Sequence, residues 1–220
     1  MKTLFRLFLP ILFIFPLLAC ETDQGEQLVL KANNEWIKGR NHSAIEMFKS
    51  VLKKYPLGQL AEEALFRLGE IYHFSLNNSM QAISYFQEVM KLNKKSLFAL
   101  EAQKYIAEIM ELTFKDYDQA IIEYQKLINM YDMSDEPQKN SGHQYRIASI
   151  YIKKQNYEQA FAEFEILLTE HPKSAWAEVT QFKILETLYT LNRCSEIPEY
   201  HNNLLIPILI VNIVVKWNLF

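Results

Sequence analysis

Cys194 and His201 are the one thiol and imidazole that stand within short reach of each other in this chain of 220 residues. A thiol beside a histidine can act as a nucleophile once the imidazole has drawn off its proton. Nothing around the two resembles the local sequence of a cysteine hydrolase. Cys194 is therefore expected to be a free, partly buried thiol with no catalytic role. The five histidines, His42, His73, His143, His171 and His201, include no pair at metal-ligand spacing. The chain has no His-Glu-x-x-His, no paired Cys-x-x-Cys, no Gly-x-Ser-x-Gly and no glycine-rich phosphate loop. Carboxylates such as Glu62, Glu63 and Glu158 are expected on solvated helix faces. The expectation is a protein that is not an enzyme and holds no cofactor and no metal.

The other cysteine has a different setting. Lys2 and Arg6 form a basic start, Leu7 to Leu18 an apolar core interrupted by Pro10 and Pro16, and Ala19 a small residue at a cleavage position. The apolar run is too short for a transmembrane helix. Leu17-Leu18-Ala19-Cys20 resembles a bacterial lipobox, in which the cysteine is acylated and becomes the first residue of the mature protein. The resemblance implies lipidation of Cys20, with acyl chains such as palmitate. At about 0.8 kcal/mol per buried CH₂, more than one chain gives stable anchoring. Glu21, rather than Asp, follows the cysteine. By resemblance to the enterobacterial sorting pattern, this implies the outer membrane, with the protein facing the periplasm. Residues 1–19 are then a signal peptide and 20–27 a lipidated polar tether.

What must position any binding residue is a repeat. Ala44, Ala82, Ala120 and Ala160 each stand four residues before an aromatic, namely Phe48, Phe86, Tyr124 and Phe164. The alanines are 38, 38 and 40 residues apart. That period marks stacked supersecondary units. Apolar residues around each alanine follow helical spacing, as in Ala44, Ile45, Phe48, Val51 and Leu52. Upstream lie matching first helices with Leu68-Gly69, Ile106-Ala107 and Ile147-Ala148. The small residues mark close helix approach. Pro56 and Pro172 end helices, and Asn77, Asn78 and Asn156 mark turns.

This pattern resembles the tetratricopeptide repeat over roughly residues 28–203. Tyr55-Pro56 and His171-Pro172, each followed by a helix rich in small residues, are similar to bacterial envelope members of that family. Lys94 and Asp132 stand where the family has proline, and the units exceed its usual 34 residues. The implied fold is all-α, a right-handed superhelical solenoid of about five tetratricopeptide-like hairpins.

In this family the first helix of each unit lines a concave groove. Alignment on Gly69, Ala107 and Ala148 implies a wall of Phe66, Arg67 and Glu70, then Lys104, Tyr105 and Glu108, then Tyr145, Arg146 and Lys153. Tyrosine and arginine are common interface anchors. Arg67, Tyr105 and Arg146 are expected to share one wall and touch the same partner. The Lys/Asn clamp of chaperone-binding relatives is not expected, because Phe66, Glu70 and Glu108 occupy the corresponding wall.

The formal charge is −3, and removing Lys2 and Arg6 with the leader takes it to −5. That disfavours nucleic acid, which needs a basic footprint. Residues 204–220 form an apolar, non-repeat tail beginning Leu-Leu-Ile-Pro-Ile-Leu-Ile-Val. Solenoid ends normally carry a polar face. A truncated or frame-shifted end, a poorly ordered or locally packed tail and a docking strand all fit that composition.

Together these features resemble the D component of the bacterial β-barrel assembly machinery, a lipoprotein of about five such repeats. The resemblance implies a non-enzymatic scaffold that binds envelope proteins during outer-membrane protein assembly, anchored by its own acyl chains. A coordinator of envelope constriction associated with the Tol–Pal system is the alternative, and an accessory subunit of an envelope enzyme a remoter one.

Overall fold

The structure is a computed structural model that describes residues 24–132 and 140–201. The leader, Cys20 and the tail 204–220 lie outside the described residues. Among the described residues all regular structure is helical. The chain divides into two units at Phe114/Lys115, and each is described by itself.

The first unit holds α1 (residues 24–37), α2 (Asn41–Lys54), α3 (Gln59–Glu70), α4 (Ser79–Leu92) and α5 (Leu97–Glu108). The second holds α6 (Tyr117–Asp132), α7 (Asn140–Lys153), α8 (Tyr157–Glu170), α9 (Ala177–Thr190) and the short α10 (Ile197–His201). In chain order the odd helices are the first (A) and the even ones the second (B) helix of a hairpin. In the first unit α2 packs on α3, α3 on α4, and α4 on α5. In the second α6 packs on α7, α7 on α8, and α8 on α9.

The B helices bury the face expected from their spacing. Ala44, Ala82, Ala120 and Ala160 are all fully buried, as are Phe48, Phe86 and Phe164, with Tyr124 nearly so. The alanines let neighbouring backbones close up, and the ring one turn later fills the space beside them. Ala99 lies outside this signature, and bulk would be expected to be tolerated there. It is nevertheless as completely buried as Ala120. A tryptophan at either position is therefore expected to overpack, at a cost of about 1–3 kcal/mol or more. Urea titration of Ala99→Trp and Ala120→Trp checks this, and a wild-type midpoint at Ala120 would contradict the register.

Among the described residues, side-chain caps start four helices. The side-chain oxygens of Asn78, Ser96, Asp116 and Asn156 accept from the backbone N–H groups of Gln81, Ala99, Gln119 and Gln159 at 3.1–3.3 Å. The A helices end on a residue with positive φ: Gly39, Asn77, Lys115, Gln155 and Asn192. After α1, α7 and α9 the next N–H reaches back five residues, as in Arg40 to the Glu35 carbonyl at 2.9 Å. That closes a Schellman-type cap.

Two hairpins are one residue longer. Gly69 to Ala82 and Ala107 to Ala120 are thirteen residues, whereas Ala148 to Ala160 is twelve. The structure supplies the A-helix residue of the first hairpin as Ala32, fully buried and twelve before Ala44. The extra residue is absorbed by widening the last turn of the A helix into π-helix, over Ile71–Ser75 and Ile109–Phe114. Leu76 N–H reaches the Ile71 carbonyl at 3.1 Å, and Asn78 N–H reaches that of Tyr72 at 2.7 Å.

Three expectations need correction. Residues 24–27, the described part of the expected tether, are the first turn of α1. Gly25 packs so closely that a Cβ there would lie 2.4 Å from Leu60, which is why that turn is held as structure. Glu62 is buried rather than solvated and accepts from Asn93 Nδ2 at 3.3 Å. Cys194 is an exposed free thiol, because it sits in a short 3₁₀ turn (Cys194–Glu196) beyond the packed face of α9.

Candidate partner-binding face

In the first unit α3 and α5 touch directly, so two consecutive A helices form one face. α1 joins them through Val29 and Ala32, which share a core with Ala64, Leu68 and Ile71. Counting each A helix from its small residue, Ala32, Gly69 or Ala107, gives a common register. Two before lie Leu30, Arg67 and Tyr105; one after, Asn33, Glu70 and Glu108; five after, Ile37, Phe74 and Leu112.

Arg67, Glu70 and Tyr105 come together. Arg67 Nη1 donates to Glu70 Oε2 at 2.6 Å, and the Tyr105 hydroxyl is 3.5 Å from Glu70 Oε1. Arg67 Nε also lies 3.8 Å from Glu63 Oε1. Burial pushes the Glu70 carboxyl above its ordinary range, opposed by the Arg67 hydrogen bond. Burial, then the charges of Glu70, Glu101 and Glu108, push the Tyr105 phenol up to about 12. It is therefore a neutral donor. Lys104 Nζ sits 3.4 Å from Glu101 Oε2, and Glu108 is half-buried.

Tyr105 is also a packing residue. Its ring stacks on Phe86 at 5.3 Å and meets Phe66 at 5.8 Å and Phe74 edge-on at 5.5 Å. Phe66, placed on the wall by its register, is buried between Phe86 and Phe98. The second unit repeats this arrangement. Tyr145 stacks on Trp176 at 4.6 Å and tilts against Phe164 at 5.7 Å. Arg146 stands on α7 in the register that Arg67 and Tyr105 hold in the first unit, and is half-buried. Among the described residues no three His, Cys, Asp or Glu side chains gather as metal ligands. No described helix is long and apolar enough to cross a membrane.

The sequence reading missed the most exposed feature of this face. Leu30, Ile37, Phe74 and Leu112 are 55, 82, 57 and 54% exposed, all large and apolar. Ile37, Phe74 and Leu112 share a sequence offset, one in the last turn of each A helix. The signal was present at a fixed offset from each small residue, but it needed Ala32 as the anchor of α1. In the second unit the same offset from Ala148 falls on Lys153, which lies 5.8 Å above the Tyr117 ring.

Glu70 gives a testable pH dependence. Its native pKa lies above the unfolded value near 4.5, so the native state binds more protons between the two. The stability of the wild type relative to Glu70→Gln is expected to fall as pH rises through that window, then level off. Melting curves of both proteins from pH 4 to 8 check the sign, and a rising difference would contradict it.

The family and structural comparisons agree with this architecture. A tetratricopeptide repeat model matches residues 63–96 and 144–174. The chain carries tetratricopeptide repeats. The two matched stretches correspond to α3–α4 and α7–α8. No curated protein matches the sequence. Among solved structures, MamA is similar at a TM-score of 0.54 and 19% identity, covering 77% of this chain and 89% of that one. A tetratricopeptide repeat protein from Parabacteroides merdae matches at 0.57 and 22%, covering 80% and 64%. Pseudomonas aeruginosa pilF matches at 0.53 and 10%, covering 82% and 74%. At these identities the likeness concerns the fold, a tetratricopeptide-type helical solenoid.

Proposed function

We propose that this protein is a non-enzymatic scaffold lipoprotein. Acyl chains on Cys20 hold it at the periplasmic face of the outer membrane. A protein partner docks on the A-helix face of the first unit, in the service of outer-membrane protein assembly. The observation that carries the binding role is the exposure of Ile37, Phe74 and Leu112, large apolar side chains kept in water near the ends of three successive A helices. Arg67, Glu70 and Tyr105 adjoin it as the polar part of the face. Exposed apolar area of this kind, rimmed by polar groups, is the mark of an interaction site. The lipid anchor is supported by the Leu17-Leu18-Ala19-Cys20 sequence after a basic and apolar leader.

Two experiments test the proposal separately. Cys20→Ser is expected to abolish metabolic labelling by radioactive palmitate, and unchanged labelling would refute the anchor. Replacing Ile37, Phe74 and Leu112 together by serine is expected to leave a folded, anchored protein, because all three are exposed. It should lose the partners that the wild type crosslinks in whole envelopes. Retention of every crosslinked species would remove this face from the proposal.

A further inference from the structure

The face of the first unit has a chemical character beyond being apolar. Its three exposed apolar residues stand on successive A helices, α3 touching α5 and α1 sharing a core with α3, and packed helix axes lie about 8–10 Å apart. Side chains seven residues apart on one face of a helix are separated by about 10 Å along its axis. An extended strand matches that step poorly, since same-face residues fall about 7 or 13 Å apart. The spacing of these residues therefore suits a helix laid across the A helices.

Charge narrows the partner further. Tyr105 is faced by Glu70, Glu101 and Glu108, whose charges all raise its pKa. Arg67 lies within reach of both Glu63 and Glu70, and Lys104 of Glu101. By sequence α3 and α5 carry five carboxylates, Glu62, Glu63, Glu70, Glu101 and Glu108, and two cations, Arg67 and Lys104, so these two helices are net acidic. Complementary charge across an interface speeds encounter and rejects partners of the wrong sign.

We propose that this face takes a basic amphipathic helix of a protein partner, its apolar stripe on Ile37, Phe74 and Leu112 and its lysines or arginines beside the carboxylates around Tyr105. The inference rests on the docking face of the proposed function and adds the chemistry of what docks there.

The test uses the full chain in a neutral detergent and three synthetic helical peptides of eighteen residues. The first has a leucine stripe flanked by lysines. The second has the same stripe with glutamates for lysines, and the third keeps the lysines with serines for leucines. Each carries a photo-crosslinking residue in the stripe position. The first peptide is expected to bind at least tenfold tighter than the others, and to crosslink to segments containing Ile37, Phe74 or Leu112. Phe74→Asp with Leu112→Asp should weaken it at least tenfold. Leu57→Asp, at an exposed apolar residue in the loop at the other end of α3, should leave it unchanged. Glu101→Lys alters charge at a half-exposed site outside the core, and should weaken the first peptide while strengthening the second. Equal affinity for the first two peptides, indifference to Glu101→Lys, or equal loss in Leu57→Asp would overturn the inference. If none of the peptides binds while the serine variant still loses its envelope partner, the basic-helix inference falls and the docking face stands. If the serine variant keeps its partner, the docking face falls as well.

Discussion

Phe86→Ala is expected to destabilise the first unit by about 3–5 kcal/mol, the loss usual for a fully buried ring. Phe86 has no exposed surface and stands among Phe66, Tyr105 and Gly69, joining α3, α4 and α5. Removing it leaves a cavity that those neighbours can fill only by moving backbone. It also withdraws two aromatic contacts, each worth about 0.5–1.5 kcal/mol beyond area burial. Chemical denaturation followed by circular dichroism measures the loss. A cost below about 1 kcal/mol would mean that Phe86 does not hold the helices together.

Gly69→Leu is the second large effect, and it acts on the same contact from the opposite direction. A Cβ on Gly69 would lie 2.4 Å from Phe86 Cε1 and 2.7 Å from Cδ1. The ring cannot swing away, because Phe66 and Tyr105 flank it. Glycine in mid-helix costs about 1 kcal/mol of propensity relative to alanine, and leucine, a good helix former, recovers most of that amount. Overpacking costs about 1–3 kcal/mol already for modest additions, and leucine adds four carbons. The net change is therefore destabilising despite the better helix former. Contact also predicts coupling. Gly69→Ala combined with Phe86→Ala should cost clearly less than the two single changes added, since the new methyl enters the space the ring has left. Simple additivity in that cycle would show that the two residues do not meet.

The candidate face was only partly legible in the sequence. Arg67, Glu70 and Tyr105 were found because they flank Gly69 and Ala107, and the structure brings them to one another. Phe66 and Tyr145 hold the same register position, each in its own unit, but inward-facing aromatic neighbours occupy much of their surfaces. Register tells which side of a helix a residue is on. It does not tell how far a neighbouring ring reaches over it. Ile37, Phe74 and Leu112 were missed for a related reason. An apolar residue at helical spacing reads as core, and only the packed arrangement shows that these three stay more than half exposed.

The repeat of alanine and aromatic determined the helices, their pairing in chain order and the buried face of each B helix. It could do so because those facts follow from local periodicity and side-chain volume. Asn78 and Asn156 likewise announced their turns, since an asparagine side chain can cap the helix that follows it. The tertiary structure decided what depends on neighbours distant in sequence. It converted a one-residue difference between repeats into two π-helical turns. It buried Glu62 and Ala99, left Cys194 in water, and gathered Arg67, Tyr105 and Glu70 on a face with exposed apolar residues. Exposure, charge balance and close approach are properties of the packed arrangement, and no single helix carries them in its own sequence.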